Sequence, residues 1–235
     1  MCEVRGFFRV TNPFLSRHDF SPTMKAVLSV VFVILAIGCL SNAVTKLDGV
    51  EVREYKGEKL SSVNDFRENS IKGPQHVNIT GYRLEVDGLV DLPKSYTYDE
   101  VLAHDRYSKV LTLYCVEGWD VKLLWEGILV KDLLKEAKVR GGANTLIFYA
   151  YDGYSTSFPL EYVTGKDIML AYRMNGVELP PERGFPFQLV AEDKWGYKWI
   201  KWVTRIEVSD DTGYKGFWEG RGYSQSGDLD KPKFE

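Results

Sequence analysis

The feature that most constrains this chain is a series of short period-two apolar runs, broken repeatedly by Gly and Pro, with only brief stretches at helical spacing. Tyr82, Leu84 and Val86 alternate with polar residues until Gly88, a strand pattern. Val110–Cys115 sets Leu111, Leu113 and Cys115 on one face of a second strand and leaves Cys115 at its C-terminal end. Thr145–Tyr151 is apolar on both faces, as a central strand must be. Ile168–Arg173 reads as another strand, followed by Asn175-Gly176, the preferred dipeptide of a tight hairpin. Phe187–Val190 and Ile206–Val208 complete the set. Thr97 and Glu100 have the spacing of a capping box, which starts a short helix ending near Ala103. Val130, Leu133, Leu134 and Ala137 recur at helical spacing, and Gly141-Gly142 is expected to stop that helix. Strands and short helices do not alternate regularly, so the fold class is α+β, a single mixed-sheet domain with long loops.

The expected organisation is a leader over residues 1–40, an extended arm over 41–75, the domain proper over 76–209 and a tail over 210–235. The run Ala26–Leu40 is uncharged and follows Met24-Lys25. It is shorter than the ~20 apolar residues of a membrane-spanning helix, and its basic start is that of a secretion signal. Ala36-Ile37-Gly38-Cys39 is similar to the lipobox of prokaryotic lipoproteins, so Cys39 would carry lipid; a plain signal peptide or an uncleaved anchor fits as well. Translation from Met1 or from Met24 is equally compatible. The arm lacks clean periodicity. The tail is rich in Gly, Ser and charge, with Phe217 and Trp218 as docking anchors.

A formal net charge of −3 argues against broad phosphate neutralisation, and so against nucleic-acid binding. The chain has three cysteines, and Cys2 and Cys39 fall in the leader. Cys115 is thus the single thiol of the body. It cannot form an internal disulfide, and an exported domain that keeps a free thiol needs a use for it. A thiolate is a soft metal ligand. His18, His76 and His104 are the chain's three histidines, so no His/Cys cage is available to complete a protein-built site. A cofactor must bring the other ligands.

Two segments carry a resemblance. The first is Cys115-Val116-Glu117-Gly118-Trp119 with Trp125-Glu126-Gly127 and a helix after it. The second runs from Arg183-Gly184-Phe185-Pro186-Phe187-Gln188 into Lys194-Trp195-Gly196-Tyr197-Lys198-Trp199-Ile200-Lys201-Trp202 and on to Arg205. Together, in this order, they resemble the molybdopterin-binding domain of the sulfite oxidase and periplasmic sulfoxide reductase family.

That resemblance implies a molybdenum-dependent oxidoreductase that transfers an oxygen atom, with Cys115 as metal ligand and catalytic residue. Tungsten in place of molybdenum is not distinguished by these residues. Cofactor contacts are expected at Cys115, Ala150, Arg183, Gln188, Lys198, Trp199, Ile200 and Lys201, and from the arm at Arg67 and Asn69. Lys194, Lys198, Lys201 and Arg205 are expected to neutralise the cofactor's phosphate. Gln188 stands where some relatives have Arg. Sulfite oxidases follow their Cys with an Arg-containing segment; here Glu117 and Asp120 follow instead, which favours a neutral S-oxide or N-oxide, such as a methionine sulfoxide, over sulfite. Sulfite oxidation, or a non-catalytic surface lipoprotein that kept the fold, are the alternatives. The expected setting is a monomer on the extracytoplasmic face of the membrane. It would exchange electrons with a separate membrane or extracytoplasmic partner, a heme protein being one candidate. The segment after Val208 is expected to be too short for a dimerisation domain, and no heme domain is visible.

Overall fold

A computed structural model describes residues 49–234. The expectations for residues 1–48, including the leader and Cys39, lie outside the described residues.

The arm begins with a two-stranded hairpin, β1 (Glu54–Tyr55) and β2 (Glu58–Lys59). The domain then runs through β3 (Leu84–Gly88), β4 (Lys94–Tyr96), α1 (Tyr98–Leu102), β5 (Tyr107–Tyr114), β6 (Asp120–Leu129) and α2 (Val130–Ala137). It continues with β7 (Thr145–Ala150), β8 (Ser155–Pro159), α3 (Leu160–Gly165), β9 (Met169–Met174), β10 (Val177–Glu178), β11 (Gln188–Val190) and β12 (Val203–Ser209). One sheet has the order β4-β3-β12-β7-β8, in which β12 is parallel to β3 and antiparallel to β7. The other has the order β10-β9-β6-β5, with β11 also paired to β9. The fold is therefore α+β with mixed sheets, as expected.

Local chemistry explains most of these elements. Thr97 and Glu100 close the expected capping box on α1, each side chain bonding the other's backbone N–H. Asn175 and Gly176 both take positive φ, which turns β9 tightly into β10. The second helix departs from expectation at its end: it stops at Ala137, where Lys138 itself adopts the left-handed conformation, before Gly141-Gly142 is reached. The burial of Leu133, Leu134 and Ala137 outweighs the absence of a glycine at that cap. Besides β1 and β2 of the arm, β4, β8 and most of β6 carry no clear sequence signal. Trp125-Glu126-Gly127 lies inside β6, because its pairing with both β5 and β9 absorbs a register shift between Glu126 and Gly127.

The two sheets share one core. Leu123 and Ile128 of the second sheet belong to the same buried cluster as Phe148 and Ile206 of the first. The arm is stitched to its outside: Ser61 N–H donates to Lys122 C=O, and Glu51 accepts from Asn175 Nδ2 at 2.8 Å. The long β5–β6 hairpin has its turn at residues 115–119, so the fold delivers Cys115 at the tip of its longest ladder.

Candidate active site

At that tip the backbone closes on itself. Cys115 N–H donates to Trp119 C=O at 2.9 Å, Gly118 N–H donates to Cys115 C=O at 3.1 Å, and Gly118 takes φ +91°. A side chain at 118 would be strained in this conformation, which is why the loop can be this short. The loop holds the Cys115 side chain on the wall of a cavity of about 410 Å³. Burial pushes the Cys115 thiol up from its ordinary value and the Glu117 carboxylate adds to this, while the Glu117 N–H, the Asn69 amide and Lys233 favour the thiolate. Asn69 Nδ2 stands 3.6 Å from Sγ.

The arm forms one wall, with Phe66, Arg67, Glu68, Asn69 and Ser70 all lining the cavity. Arg183 holds it there. Its buried guanidinium donates to three arm carbonyls, those of Val63 at 2.9 Å, Phe66 at 2.6 Å and Arg67 at 3.3 Å, and stacks 3.7 Å over the Phe66 ring. Lys201 reaches the same wall through Glu68 Oε1 at 2.5 Å. Gly184 takes φ +96° and lets the chain fold so tightly that a Cβ there would meet Lys201 at 3.0 Å and Gln188 at 3.2 Å.

Of the residues expected from sequence, Arg67, Asn69, Cys115, Arg183, Gln188, Trp199, Ile200 and Lys201 are gathered on this one cavity. Two are not. Lys198 is fully buried outside the lining, with its three donors spent on Glu219 Oε1 at 2.6 Å, Ser157 C=O at 2.8 Å and Gln225 C=O at 3.0 Å. Ala150 is buried at the end of β7, and the cavity is lined two residues further on by Asp152. The expected phosphate cluster is likewise dispersed. Lys194 pairs with Asp228, and Arg205 with Asp87 and Glu207, so Lys201 is the member of that group on the cavity. Of the two acids after Cys115, Glu117 lines the cavity, whereas Asp120 opens β6 at the surface. Sequence reasoning missed Glu68, Asp152, Tyr154 and Tyr223 on the lining, whereas Tyr197 of the aromatic–basic segment does line it. The missed residues come from segments without periodicity, and only tertiary contacts bring them in.

The lining suits a large polar heterocycle joined to an anion. Gln188 Oε1 and Ser70 Oγ are buried on it without a hydrogen-bond partner, a state that a ligand's donors would relieve. Lys201 and Arg183 supply positive charge, Trp199 and Trp202 supply ring faces, and Cys115 supplies a soft ligand. Among the described residues no cluster of His, Cys, Asp and Glu could hold a metal unaided.

The family model of the oxidoreductase molybdopterin binding domain matches residues 71–218. The chain belongs to this family. It is an oxidoreductase whose cofactor is molybdopterin with molybdenum, and the thiol, the orphaned acceptors and the cations of the cavity fit that group. The chain is 34% identical over 156 residues to the oxidoreductase YuiH of Bacillus subtilis (strain 168), covering 66% of this chain and 78% of YuiH. It is 29% identical over 206 residues to sulfite oxidase of Gallus gallus, covering 70% of this chain and 44% of that protein. With MsrP of Ralstonia nicotianae, a protein-methionine-sulfoxide reductase catalytic subunit, it shares 24% identity over 145 residues, covering 55% and 44% respectively. The sulfane dehydrogenase SoxCD of Paracoccus pantotrophus superimposes with a TM-score of 0.57 at 28% identity, over 59% of this chain and 41% of that one. The chain thus spans less than two thirds of each of these relatives except YuiH.

Proposed function

We propose that this oxidoreductase reduces a neutral S-oxide or N-oxide, such as a methionine sulfoxide. The substrate oxygen would leave as water, with two protons and two electrons, the electrons coming from a separate electron-transfer protein. The observation that carries this reading is Glu117, a carboxylate on the cavity wall two residues from Cys115, with no Arg in the 115–119 loop. A carboxylate there raises the energy of an anionic substrate and leaves a neutral oxide unaffected. The likeness to a protein-methionine-sulfoxide reductase catalytic subunit agrees with it.

The cofactor would supply the two-electron chemistry. This chain's part is to hold and orient it. Cys115 would ligate the metal, Asn69 would donate to Sγ, and Lys201 would meet the phosphate after releasing Glu68. Arg183 would keep the arm closed over the site and water out, and Gln188, Trp199 and Ile200 would line the bed of the ring system. Sulfite oxidation is the second reading, favoured by the exposed Arg67 on the lining and by the likeness to sulfite oxidase.

The test is metal analysis and a substrate screen. Protein from a molybdopterin-competent host should carry about one Mo per chain, and Cys115→Ala should lower both metal and turnover to background. With a reduced viologen dye the enzyme should reduce dimethyl sulfoxide or trimethylamine N-oxide. Sulfite turnover at a comparable rate would reject the neutral-oxide reading. We further infer that the leader over residues 1–40 exports the chain, with Cys39 as the residue that would carry lipid, and that the chain works as a monomer on the extracytoplasmic membrane face. Among the described residues no helix is long and apolar enough to cross a membrane.

A further inference from the structure

The cavity has a wall at the edge of the family match. The match ends at Trp218, yet both Trp218 and Tyr223 line the cavity. Their rings lie 5.1 Å apart at 53°, and Phe217 stands edge-on to Trp218 at 5.2 Å.

The segment bearing these rings is fixed at both ends. On the inner side, Glu219 is buried and accepts from Lys198 Nζ at 2.6 Å and from Thr156 Oγ1. Gly216 lies so close to β8 that a Cβ would sit 2.2 Å from Ser155 O. On the outer side, Lys233 donates to Val116 C=O at 3.2 Å and lies 4.3 Å over the Trp195 ring. Tyr223 bridges to Phe234, their rings 4.8 Å apart. Val116 directly follows Cys115, so the tail is tied to the loop that carries the thiol. Charge comes to the cavity from the arm, from Glu117 and Asp152 and from residues 182–201, and the orphaned polar atoms are those of Ser70 and Gln188. The tail adds ring faces.

We propose that Trp218 and Tyr223 determine substrate specificity: they form a preorganised aromatic wall that receives the apolar substituent of the oxide. The enzyme therefore favours sulfoxides bearing an aryl or long apolar group over dimethyl sulfoxide. This rests on the neutral-oxide reading above. Aromatic faces discriminate between a ring and a methyl group by roughly tenfold, and a wall already fixed at both ends loses little freedom on binding.

The test compares kcat and KM for methyl phenyl sulfoxide and for dimethyl sulfoxide, using cofactor-loaded enzyme and a reduced viologen dye. In Tyr223→Leu and Trp218→Leu the ratio of kcat/KM, aryl over methyl, should fall roughly tenfold, carried by KM. Tyr223→Phe keeps the ring and should restore the wild-type ratio. Leu keeps the position apolar but removes the ring, and a melting curve on each variant separates a lost ring face from a lost fold. A ratio that does not change in the folded variants would overturn the proposal. So would a drop in bound molybdenum in Tyr223→Leu, which would assign the wall to the cofactor. If wild-type enzyme reduces neither sulfoxide nor trimethylamine N-oxide, the neutral-oxide reading itself fails and the wall has no substrate to select. Turnover of both sulfoxides with an unaltered ratio removes the wall alone.

Discussion

Single atoms decide much of this structure. Gly127 sits in β6 where that strand presses against β9, and a Cβ there would stand 2.0 Å from Leu170 O and 2.7 Å from Ala171 Cα. Both obstacles are backbone, so neither can swing aside. On the same strand Trp125 packs against Trp199 at 5.4 Å, which couples the core to the cavity floor. Gly127→Ala should therefore destabilise the protein by about 3 kcal/mol, read as a shift of the urea midpoint, with loss of bound cofactor at temperatures where the wild type retains it. A neutral substitution would show that β6 can move away from β9.

At the scale of elements, Lys198 shows how a residue placed correctly in a motif can have a different task. It fastens the turn at Gly196–Lys198 to the turn at Glu219–Arg221 and to the Ser157 carbonyl in β8. Burial pushes its ammonium below the usual lysine value, and Glu219 opposes that shift. Removing one member leaves a buried charge without its partner. Lys198→Met should cost about 3–5 kcal/mol in urea unfolding, and Lys198→Met with Glu219→Leu should recover most of that loss. If the double variant is as unstable as the single one, the pair is not the source of the effect. Cavity-facing Lys201 should behave differently: Lys201→Met should lower molybdenum content more than stability, measured by metal analysis alongside melting.

Across the whole molecule, the tail straps the domain shut. Asp228 accepts from Lys194 and Lys231, Leu229 N–H donates to Asp193 C=O, and Trp195 N–H donates to Gly227 C=O at 2.8 Å. Burial raises the Asp228 carboxyl, but Lys194 and Lys231 outweigh it and hold the group down to about 2, against an ordinary value of 3.8. A depressed carboxyl stabilises the fold above its unfolded value and loses that contribution as pH falls through the folded one. The stability difference between wild type and Asp228→Asn should thus be on the order of 2 kcal/mol above pH ~4 and should vanish towards pH ~2. Urea unfolding at a series of acidic pH values measures it, and a constant difference across that window would contradict the assignment.

Local order was readable in the residues: the capping box at Thr97, the Asn175-Gly176 hairpin, the apolar strand at Thr145 and the placement of Cys115 at a strand end all arise within a few residues of chain. So did the family, because Cys115-Val116-Glu117-Gly118-Trp119 and the aromatic–basic segment are contiguous. What the residues alone left open was set by partners far away in sequence. Which lysine faces the cavity depended on Glu219, Asp228 and Glu68, since a cation goes wherever a carboxylate and a dry pocket meet it. The same holds for the arm, which lies over Cys115 because Arg183 collects its carbonyls, and for the tail, whose Tyr223 reaches the cavity from a segment with no periodicity of its own. Hydrogen bonding and periodicity act over short stretches of chain and are written locally. The pairing of buried charges and the closing of a cavity are properties of the packed whole, and only the tertiary structure decided them.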